Sequence, residues 1–495
     1  MERSSDLGAL DSRVSPLELL LPDGRAGRSL VLGGSCPPAL VPHSRGDGEG
    51  APVQLIVLAP SAAEAEDVRW LDDAVNRVEE LDPDGVVYVL ASPRARRRLR
   101  ALLATRGLTQ SAGFLHVPSL VATRFLLPLE KGAFRYAFAH LVPVKAHNRA
   151  RTSVATWLPT LAPITALASP VGVAARRPRA RSLFDWLFAD RPDEVGTAIV
   201  GGLGKEGGRP VLHRFARGAG TPSAVAKVAP PAKATALAAV LRELGPAATS
   251  AGAEVPEPLP VTTLRGAILE SFVPGTNASL VLARDADSLP EVLEEVVGWL
   301  ERWTRATARP IPLTRESLQD WVLAPLARLE GQLVEGARYR QDLESLGREL
   351  MGRTVPCVAV HADLTMSNVL FRRGAAIGVV DWDGSCGTGL PLVDFFYAVA
   401  DATAATKAYR SRPAAARECF AGQGLHTRRV EEWRRRLTHS LGVSETLSAL
   451  CFHACWLHHA GNEQRASSPG DPRPFLEILD WASSSTELLP GASIS

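Results

Sequence analysis

Lysine is scarce in this sequence of 495 residues: only six of its 55 basic side chains are lysines, and the others are arginines. The acidic side chains number 53, so the formal net charge is only +2, which gives no reason to expect nucleic acid as a partner. The six cysteines lack the regular spacing of a disulfide framework. Each lysine is therefore informative, because arginine is the usual basic residue of this chain.

Long apolar runs are also missing. The longest uncharged stretch, residues 152–175, contains three prolines and several hydroxyl side chains, which argues against a membrane-spanning helix. The first residues are polar and acidic, so no signal peptide is expected. We therefore expect a cytoplasmic protein with no membrane partner, and the chain length predicts two or three domains.

The first 185 residues alternate short β-branched runs with helical patterns. The predicted elements are strands at 28–33, 54–58 and 86–91, a helix from Ala62 to Leu81, and a helix from Ser92-Pro93 to Gly107. Such alternation predicts an α/β layer of mostly parallel strands. We therefore expect residues 1–185 to form a Rossmann-like domain.

The order of a strand, a helix and LDPDGVVYV resembles the later half of a nucleoside-type methyltransferase fold. The glycine-rich cofactor loop of that fold is replaced here by GGSCPPAL, residues 33–40, in which two prolines lack the backbone N–H groups that would face a ligand. No acidic residue is available at the end of a second strand to bind a ribose. We therefore expect a degenerate domain, with an active methyltransferase as the alternative.

The predicted helix over Ala95–Arg106 is rich in arginine. One interpretation is a surface that binds nucleic acid or a membrane. The other is a solvated arginine face opposite Leu99, Leu102 and Leu103, and it is preferred because no aromatic residues are interleaved with the arginines.

The clearest chemical signal lies in residues 358–383, VAVHADLTMSNVLFRRGAAIGVVDWD. An apolar run leads into His361 and Asp363, and Asn368 follows five positions after Asp363. A second apolar run then ends at Asp381. Two carboxylates and a carboxamide at strand ends suit chemistry on a magnesium triphosphate, because one acid can orient an acceptor hydroxyl while the other acid and the amide supply hard oxygen ligands.

The pattern HxDxxxxN, followed by an apolar strand and DWD, resembles the aminoglycoside phosphotransferase and choline kinase-like family. The resemblance implies a protein-kinase-like fold over about residues 195–460. It also implies that Asp363 is the catalytic aspartate, that Asn368 and Asp381 bind Mg²⁺, and that His361 is structural.

Two residues depart from the family pattern. Ala362 stands where the family usually has glycine, and Asp383 stands where glutamate is common. Neither position carries one of the chemical roles. The later Asp394, in GLPLVDFFYAVA, also matches the family, and we expect it to cap or brace a helix rather than to perform chemistry.

The same resemblance predicts a small lobe that binds ATP. Lys227, in the alternating run SAVAKVA, is predicted to contact the α- and β-phosphates, with a solvated strand lysine as the alternative. Glu243, on the following helix, is the candidate ion-pair partner of Lys227, although a solvated acid is equally compatible with the pattern. The main chain around Glu270–Phe272 is predicted to bind adenine. The turn GKEGGRP lacks GxGxxG, so no residue in it is assigned.

A Cys- and His-rich segment, residues 451–463, suggests a metal site, but it lacks CxxC spacing and a second cysteine pair. A packed helix is therefore the preferred interpretation.

The sequence thus predicts an α/β Rossmann-like domain (1–185) followed by an α+β bilobal protein-kinase-like domain, with its N-lobe at 195–280 and its C-lobe at 281–490. The expected function is an ATP- and Mg²⁺-dependent phosphotransferase whose partner is a small molecule with a hydroxyl, such as a sugar, an aminoglycoside-like compound or an amino alcohol. A non-catalytic kinase-like scaffold that binds nucleotide remains the alternative.

Overall fold

The computed structural model describes residues 28–34, 52–117, 123–141, 171–178, 196–203, 210–229, 231–259, 267–421, 424–465 and 471–484, together with a few single positions between them. The chain divides into two compact units. Unit 1 comprises Met1–Thr235 and Pro258–Phe272, and unit 2 comprises Ala236–Glu257 and Val273–Ser495. The predicted turn GKEGGRP lies mostly outside the described residues.

In the described residues of unit 1, nine strands and four α-helices precede residue 231. Its strands are β1 (Ser29–Leu32), β2 (Val53–Leu58), β3 (Leu81–Leu90), β4 (Thr109–Val117), β5 (Phe125–Pro128), β6 (Val171–Arg176), β7 (Gly196–Gly201), β8 (Val211–Ala216) and β9 (Ala224–Val228). Its helices are α1 (Ala62–Glu66), α2 (Val68–Asn76), α3 (Pro93–Thr105) and α4 (Lys131–His140). After helix α5 (Pro231–Ser250) and strand β10 (Ala253–Glu254), the chain returns to unit 1 as β11 (Ala267–Ser271).

The strands of unit 1 form one continuous sheet of ten strands in the order β1-β2-β3-β6-β4-β5-β7-β8-β9-β11. Strands β1, β2 and β3 are parallel, whereas β6 is antiparallel to β3 and to β4, and β4 is antiparallel to β5. The prediction of mostly parallel strands is therefore wrong beyond β3. Its physical reason is that β6, which follows α4 in the chain, lies between β3 and β4 and runs antiparallel to both of them, although β4 itself has the same direction as β3.

Strand β2 shows why this sheet is buried on both faces. Leu55 and Val57 contribute to one apolar core, whereas Ile56 and Leu58 contribute to a second core that also contains Leu71 of α2. Because successive side chains of a strand point to opposite faces, the uninterrupted apolar run of β2 supplies both cores.

The prediction of one continuous helix over Ala62–Leu81 is wrong, because the segment forms two separate α-helices, α1 and α2. Asp67 has an extended backbone (φ −77°, ψ 116°), and its side chain accepts a hydrogen bond from the backbone N–H of Arg69. Asp67 therefore ends α1 and caps α2, in the way that aspartate stabilises helix starts. The next predicted helix is confirmed as α3, which is capped by Ser92 and has Pro93 at its first position.

Unit 2 contains short strands and many helices. The strands are β10, β12 (Thr276–Asn277), β13 (Arg309–Pro312), β14 (Thr354–Val360), β15 (Val369–Phe371), β16 (Ile377–Val379) and β17 (Cys386–Gly389). The helices after α5 are α6 (Ala278–Arg284), α7 (Leu289–Thr307), α8 (Arg315–Leu318), α9 (Ala324–Leu329), α10 (Gly336–Leu350), α11 (Val393–Thr406), α12 (Arg412–Phe420), α13 (Leu425–Leu441), α14 (Glu445–Arg465) and α15 (Arg473–Ser484).

The strands of unit 2 form two small sheets, ordered β10-β16-β15-β12 and β13-β14-β17. Strand β14 belongs to one sheet and β15 to the other, so residues 361–368 form the loop that connects the two sheets. Behind this loop lies an aromatic core in which Trp299 and Trp303 of α7 stack with ring centroids 4.8 Å apart. None of the helices in the described part of the chain combines the length and the apolar character of a membrane span.

Candidate active site

The loop of residues 361–368 carries the predicted catalytic motif and is tightly turned. The backbone N–H of Thr365 donates to the carbonyl of Asp363 (2.8 Å), and the N–H of Asn368 donates to the carbonyl of Thr365 (2.9 Å). Ala362 has a left-handed backbone, with φ 64°. Glycine adopts this conformation without the steric cost of a Cβ atom, which gives a physical reason for glycine at the corresponding position of the resembling family.

Asp394, in the first turn of α11, holds the start of this loop. Its carboxylate accepts hydrogen bonds from the backbone N–H of His361 (2.7 Å) and of Ala362 (2.8 Å). Burial raises the pKa of Asp394 to about 6, although the two N–H groups act in the opposite direction. Asp394 is therefore a brace, but it braces the loop rather than its own helix.

Asp401, two turns further along α11, holds the other half of the loop. Its carboxylate accepts hydrogen bonds from the backbone N–H of Met366 (2.8 Å) and from the Tyr409 hydroxyl (3.1 Å), and it forms an ion pair with Arg412 (2.6 Å). The sequence interpretation did not include Asp401. The available signal was its spacing of seven residues from Asp394, which places two acids on one face of a helix.

His361 connects the two segments that precede Asp363 and Asp381. Its Nε2 atom lies 3.1 Å from the carbonyl oxygen of Val380, and its own carbonyl accepts a hydrogen bond from Ser385 Oγ (3.1 Å). The ring meets that of Trp382 edge to face, with centroids 5.1 Å apart. These contacts are structural.

Asp363 and Asn368 contact each other across the loop. The amide nitrogen of Asn368 donates to the backbone carbonyl of Asp363 (2.9 Å) and to its carboxylate oxygen Oδ2 (3.2 Å). Burial, and then the negative charges of Asp381 and Asp401, raise the pKa of Asp363 to about 7, while the hydrogen bond from Asn368 opposes this shift. Asp363 is therefore a carboxylate whose basicity is unusually high for its type.

Asp381 follows β16 and has a left-handed backbone, with φ 67°. The next residue, Trp382, is fully buried; its indole nitrogen donates to the carbonyl of Val379 (2.9 Å), and its ring meets Trp303 edge to face at 5.7 Å. Left-handed backbone at a residue other than glycine is costly and needs support from its surroundings. The anchored indole of Trp382 provides that support.

The donor set of Asn368 and Asp381 fits Mg²⁺. The amide nitrogen of Asn368 is engaged with Asp363, which leaves its carbonyl oxygen for a cation, and Asp381 supplies a carboxylate. No group of three or more His, Cys, Asp or Glu side chains in the described ranges is arranged to hold a metal ion. A small number of protein oxygens is typical of Mg²⁺ sites that are completed by water and substrate phosphates.

In unit 1, the structure brings Lys227 together with Glu270. Lys227 on β9 lies opposite Ile268 of β11 in the sheet, so Glu270 is its diagonal neighbour on the same face. The two side chains are 13% and 3% exposed, and Lys227 Nζ lies 3.5 Å from Glu270 Oε2. The sequence interpretation considered Glu270 only for its main chain and missed this side-chain contact.

The remaining predicted residues are placed as follows. Glu243 is exposed on α5 in unit 2, close to Gly387, where an added Cβ would lie 3.1 Å from Glu243 Oε1. Phe272 follows β11 and meets Tyr136 edge to face at 5.9 Å. The pairing of Lys227 with Glu243 and the adenine contacts of Glu270–Phe272 stay predictions.

The Cys- and His-rich segment forms part of helix α14. Cys451, Cys455, His453 and His459 are buried. His453 Nδ1 lies 2.7 Å from the Tyr339 hydroxyl, and burial lowers the pKa of His459 well below its usual value. These groups pack within the helical part of unit 2, in agreement with the preferred interpretation of a packed helix.

Comparisons with known proteins concern the same region. No curated protein matches the chain. Similar solved structures include the GDP and kanamycin complex of APH(2")-IIia, at 16% identity over 61% of this chain and 99% of that chain with a TM-score of 0.40. Another is macrolide 2'-phosphotransferase MphH from Brachybacterium faecium, at 16% identity over 60% of this chain and 97% of that chain with a TM-score of 0.38. A third is a choline/ethanolamine kinase family protein from Mesorhizobium loti, at 17% identity over 54% of this chain and 82% of that chain with a TM-score of 0.37.

These structural likenesses are too distant to support a conclusion about function. The family comparison is more specific, because it matches a defined segment that contains Lys227, Asp363, Asn368 and Asp381. Residues 211–434 of this chain match the model of the family described as the Phosphotransferase enzyme family.

Proposed function

We propose that the protein is an ATP- and Mg²⁺-dependent phosphotransferase that acts on a hydroxyl group of a small molecule. The observation that carries this proposal is the fixed conformation of the loop of residues 361–368. Two buried carboxylates of helix α11, Asp394 and Asp401, accept hydrogen bonds from three backbone N–H groups of this loop. The family match over residues 211–434 supports the same reaction class.

Asp363 is the proposed catalytic base. Its pKa of about 7 is close to the value at which a general base is most effective near neutral pH. A cation bound by Asn368 and Asp381 would favour the ionised form of Asp363, because it offsets the negative charge of Asp381. In this role Asp363 orients the acceptor hydroxyl and accepts its proton as the oxygen attacks the phosphoryl group.

The other roles follow from the chemistry of the residues. Asn368 and Asp381 would hold Mg²⁺, which supplies charge neutralisation on the phosphates when it is bound. Lys227 would bind nucleotide phosphates, with Glu270 fixing its ammonium group in the sheet. Lysine provides a compact, strongly charged contact that arginine does not reproduce.

The acceptor is proposed to be a sugar, an aminoglycoside-like polyol or an amino alcohol, and the protein is proposed to be cytoplasmic. Residues 1–185 are proposed to form a degenerate Rossmann-like domain. The Rossmann-like assignment is supported by the parallel strands β1 to β3, with α1 and α2 between β2 and β3. Gly33, with φ 99°, has no room for a side chain, since an added Cβ would lie 2.4 Å from the carbonyl oxygen of Ala59.

The test has two steps on the purified full-length chain. Differential scanning fluorimetry with and without MgATP should show a rise in unfolding temperature, because a ligand that binds only the folded state stabilises it by mass action. ADP release should then be screened across hydroxylated metabolites, with Asp363→Asn as the matched control for background hydrolysis.

A stabilising shift with no ADP release above the Asp363→Asn background on any acceptor would favour the nucleotide-binding scaffold. The absence of a shift at saturating MgATP would contradict both the phosphotransferase and the scaffold that binds nucleotide.

A further inference from the structure

A groove of about 560 Å³ opens on unit 1 beside helix α3, well away in sequence from the residues assigned above. Arg97 and Arg100 of α3 line it together with apolar side chains, among them Leu103, Leu108 and Ala175. Arg97 and Arg100 are exposed, whereas the three apolar residues are buried. The groove therefore combines two cationic groups with an apolar floor.

The two arginines have no counter-charge within the part of the chain that the structure describes. No ion pair or hydrogen bond joins either side chain to a described residue, whereas Arg106, at the end of the same helix, pairs with Glu79 and Asn76. None of the described residues that line the groove is acidic. Like charges three residues apart on a helix repel each other, and an anion bound by both guanidinium groups would offset this repulsion.

The charge of Arg100 also affects the pKa of Arg96, which lies four residues earlier in the helix. The pKa of Arg96 is lowered, first by burial and then by the positive charge of Arg100. Arg96 itself is engaged, because its guanidinium donates to the carbonyl of Val171 (3.0 Å). Arg96 therefore fixes α3 against strand β6, whereas Arg97 and Arg100 are the cations among the described residues that line the groove.

We propose that this groove binds a phosphorylated small molecule, with its phosphate held by Arg97 and Arg100 and its apolar body against Leu103, Leu108 and Ala175. Two guanidinium groups match the charge of a phosphate monoester, which approaches −2 near neutral pH. They also match its geometry, because the planar fork of arginine binds phosphate through paired hydrogen bonds. The volume lies within the usual range for small-molecule pockets.

Nucleic acid is the less suitable occupant. No aromatic side chain is among the described residues that line the groove, so bases would find no stacking surface on them. The cationic wall is short, since Arg97 and Arg100 are separated by a single helical turn. A small ligand that places one phosphate at this wall uses every feature of the groove, whereas a polyanion would use only its charge.

The test compares two charge-reversed variants of the full-length protein. Arg97→Glu/Arg100→Glu changes the groove. Arg94→Glu/Arg98→Glu makes the same change in charge at two exposed arginines of the same helix that do not line the groove. The probes are 1-naphthyl phosphate, uncharged 1-naphthol, inorganic phosphate and a 12-nucleotide single-stranded DNA, and binding is measured by calorimetry at constant ionic strength.

We expect 1-naphthyl phosphate to bind the wild-type protein more tightly than inorganic phosphate or 1-naphthol. The groove variant should raise its Kd by at least tenfold, and the control variant should change it by less than twofold. Arg97→Gln/Arg100→Gln serves as a second groove variant if the charge reversal prevents folding. Because ADP release depends on other residues, failure of this proposal leaves the phosphotransferase proposal unaffected.

Three results would overturn the inference. One is an equal loss of binding in the groove and control variants, which would indicate diffuse attraction. Another is 1-naphthyl phosphate binding that both groove variants leave intact. The third is tight DNA binding that both variant pairs weaken, without saturable binding of 1-naphthyl phosphate, which would instead identify α3 as a nucleic-acid surface.

Discussion

Replacing Arg412 by methionine should destabilise unit 2 and loosen the candidate catalytic loop. Arg412 forms an ion pair with Asp401 (2.6 Å), whose side chain is fully buried, and its guanidinium also lies over the rings of Tyr409 (4.8 Å) and Phe475 (5.6 Å). Methionine retains most of the packing volume but removes the charge. Asp401 would then be a buried carboxylate without its cation, although it still accepts the hydrogen bond from Met366.

The expected loss of unfolding free energy is about 3–5 kcal/mol, the usual cost of removing one partner of a buried ion pair. Loss of the two ring contacts adds about 0.5–1 kcal/mol each. Asp401→Asn removes the buried charge as well as the ion pair, so the double variant should be less destabilised than the sum of the single variants. We expect a coupling energy of about 2 kcal/mol, within the range found for contacting residues.

Two measurements check this prediction. Urea unfolding of the wild type, the two single variants and the double variant gives the coupling energy. Hydrogen exchange of a peptide containing Met366 reports on the loop itself, because the N–H of Met366 is bonded to Asp401. Arg412→Lys is the matched control: it keeps the charge and should lose less stability than Arg412→Met.

A loss below 1 kcal/mol in Arg412→Met, or additive effects in the four-variant cycle, would refute the argument that Arg412 neutralises a buried Asp401. Unchanged exchange at Met366 in a clearly destabilised Arg412→Met would show that the loop does not depend on this ion pair.

Three further predictions concern other parts of the chain. Asp363→Asn should lower kcat about 10²–10⁴-fold and leave the affinity for MgATP nearly unchanged. Asp381→Asn should weaken the binding of MgATP itself, as measured by calorimetry. An equal loss of nucleotide binding in the two variants would show that the division of roles is wrong. S-adenosylmethionine should show no micromolar binding to the full-length protein in calorimetry, because the two prolines of GGSCPPAL lack the backbone N–H groups that would donate to it. Micromolar affinity would revive the methyltransferase alternative. Gly172→Ala should lower the free energy of unfolding by about 1–3 kcal/mol, because an added Cβ would lie 2.1 Å from the Tyr88 hydroxyl oxygen. Gly34→Ala, which has no atom within 4 Å of its Cβ position, should lower it by less than about 0.5 kcal/mol. Similar melting temperatures for the two variants in thermal unfolding would contradict the packing argument.

The sequence predicted local features well where strong local signals exist. Ser92-Pro93 and Gly107 delimit α3, and the alternating run around Lys227 became β9. The motif of His361, Asp363, Asn368 and Asp381 was found because its spacing is fixed by one loop and two short strands, all close in sequence.

Contacts between distant residues could not be predicted in the same way. Lys227 meets Glu270 only because β9 and β11 pair in a particular register, whereas the sequence pattern favoured Glu243 on the next helix as its partner. Asp401 was missed because its partners, Met366 and Arg412, are supplied by other segments of the chain. Strand direction beyond β3 also depends on pairing between distant segments.

The pairing of β5 with β7, at Leu126 and Val200, has a practical consequence for shortened forms of the protein. A fragment that begins at residue 196 would retain the segment that matches the phosphotransferase family but would leave β7 with an uncovered edge. Exposed N–H and C=O groups along such an edge recruit further strands and promote aggregation. The N-terminal strands thus act as a protective cover for the sheet that carries Lys227, and a soluble short form would need charged residues or proline along β7 to replace that cover.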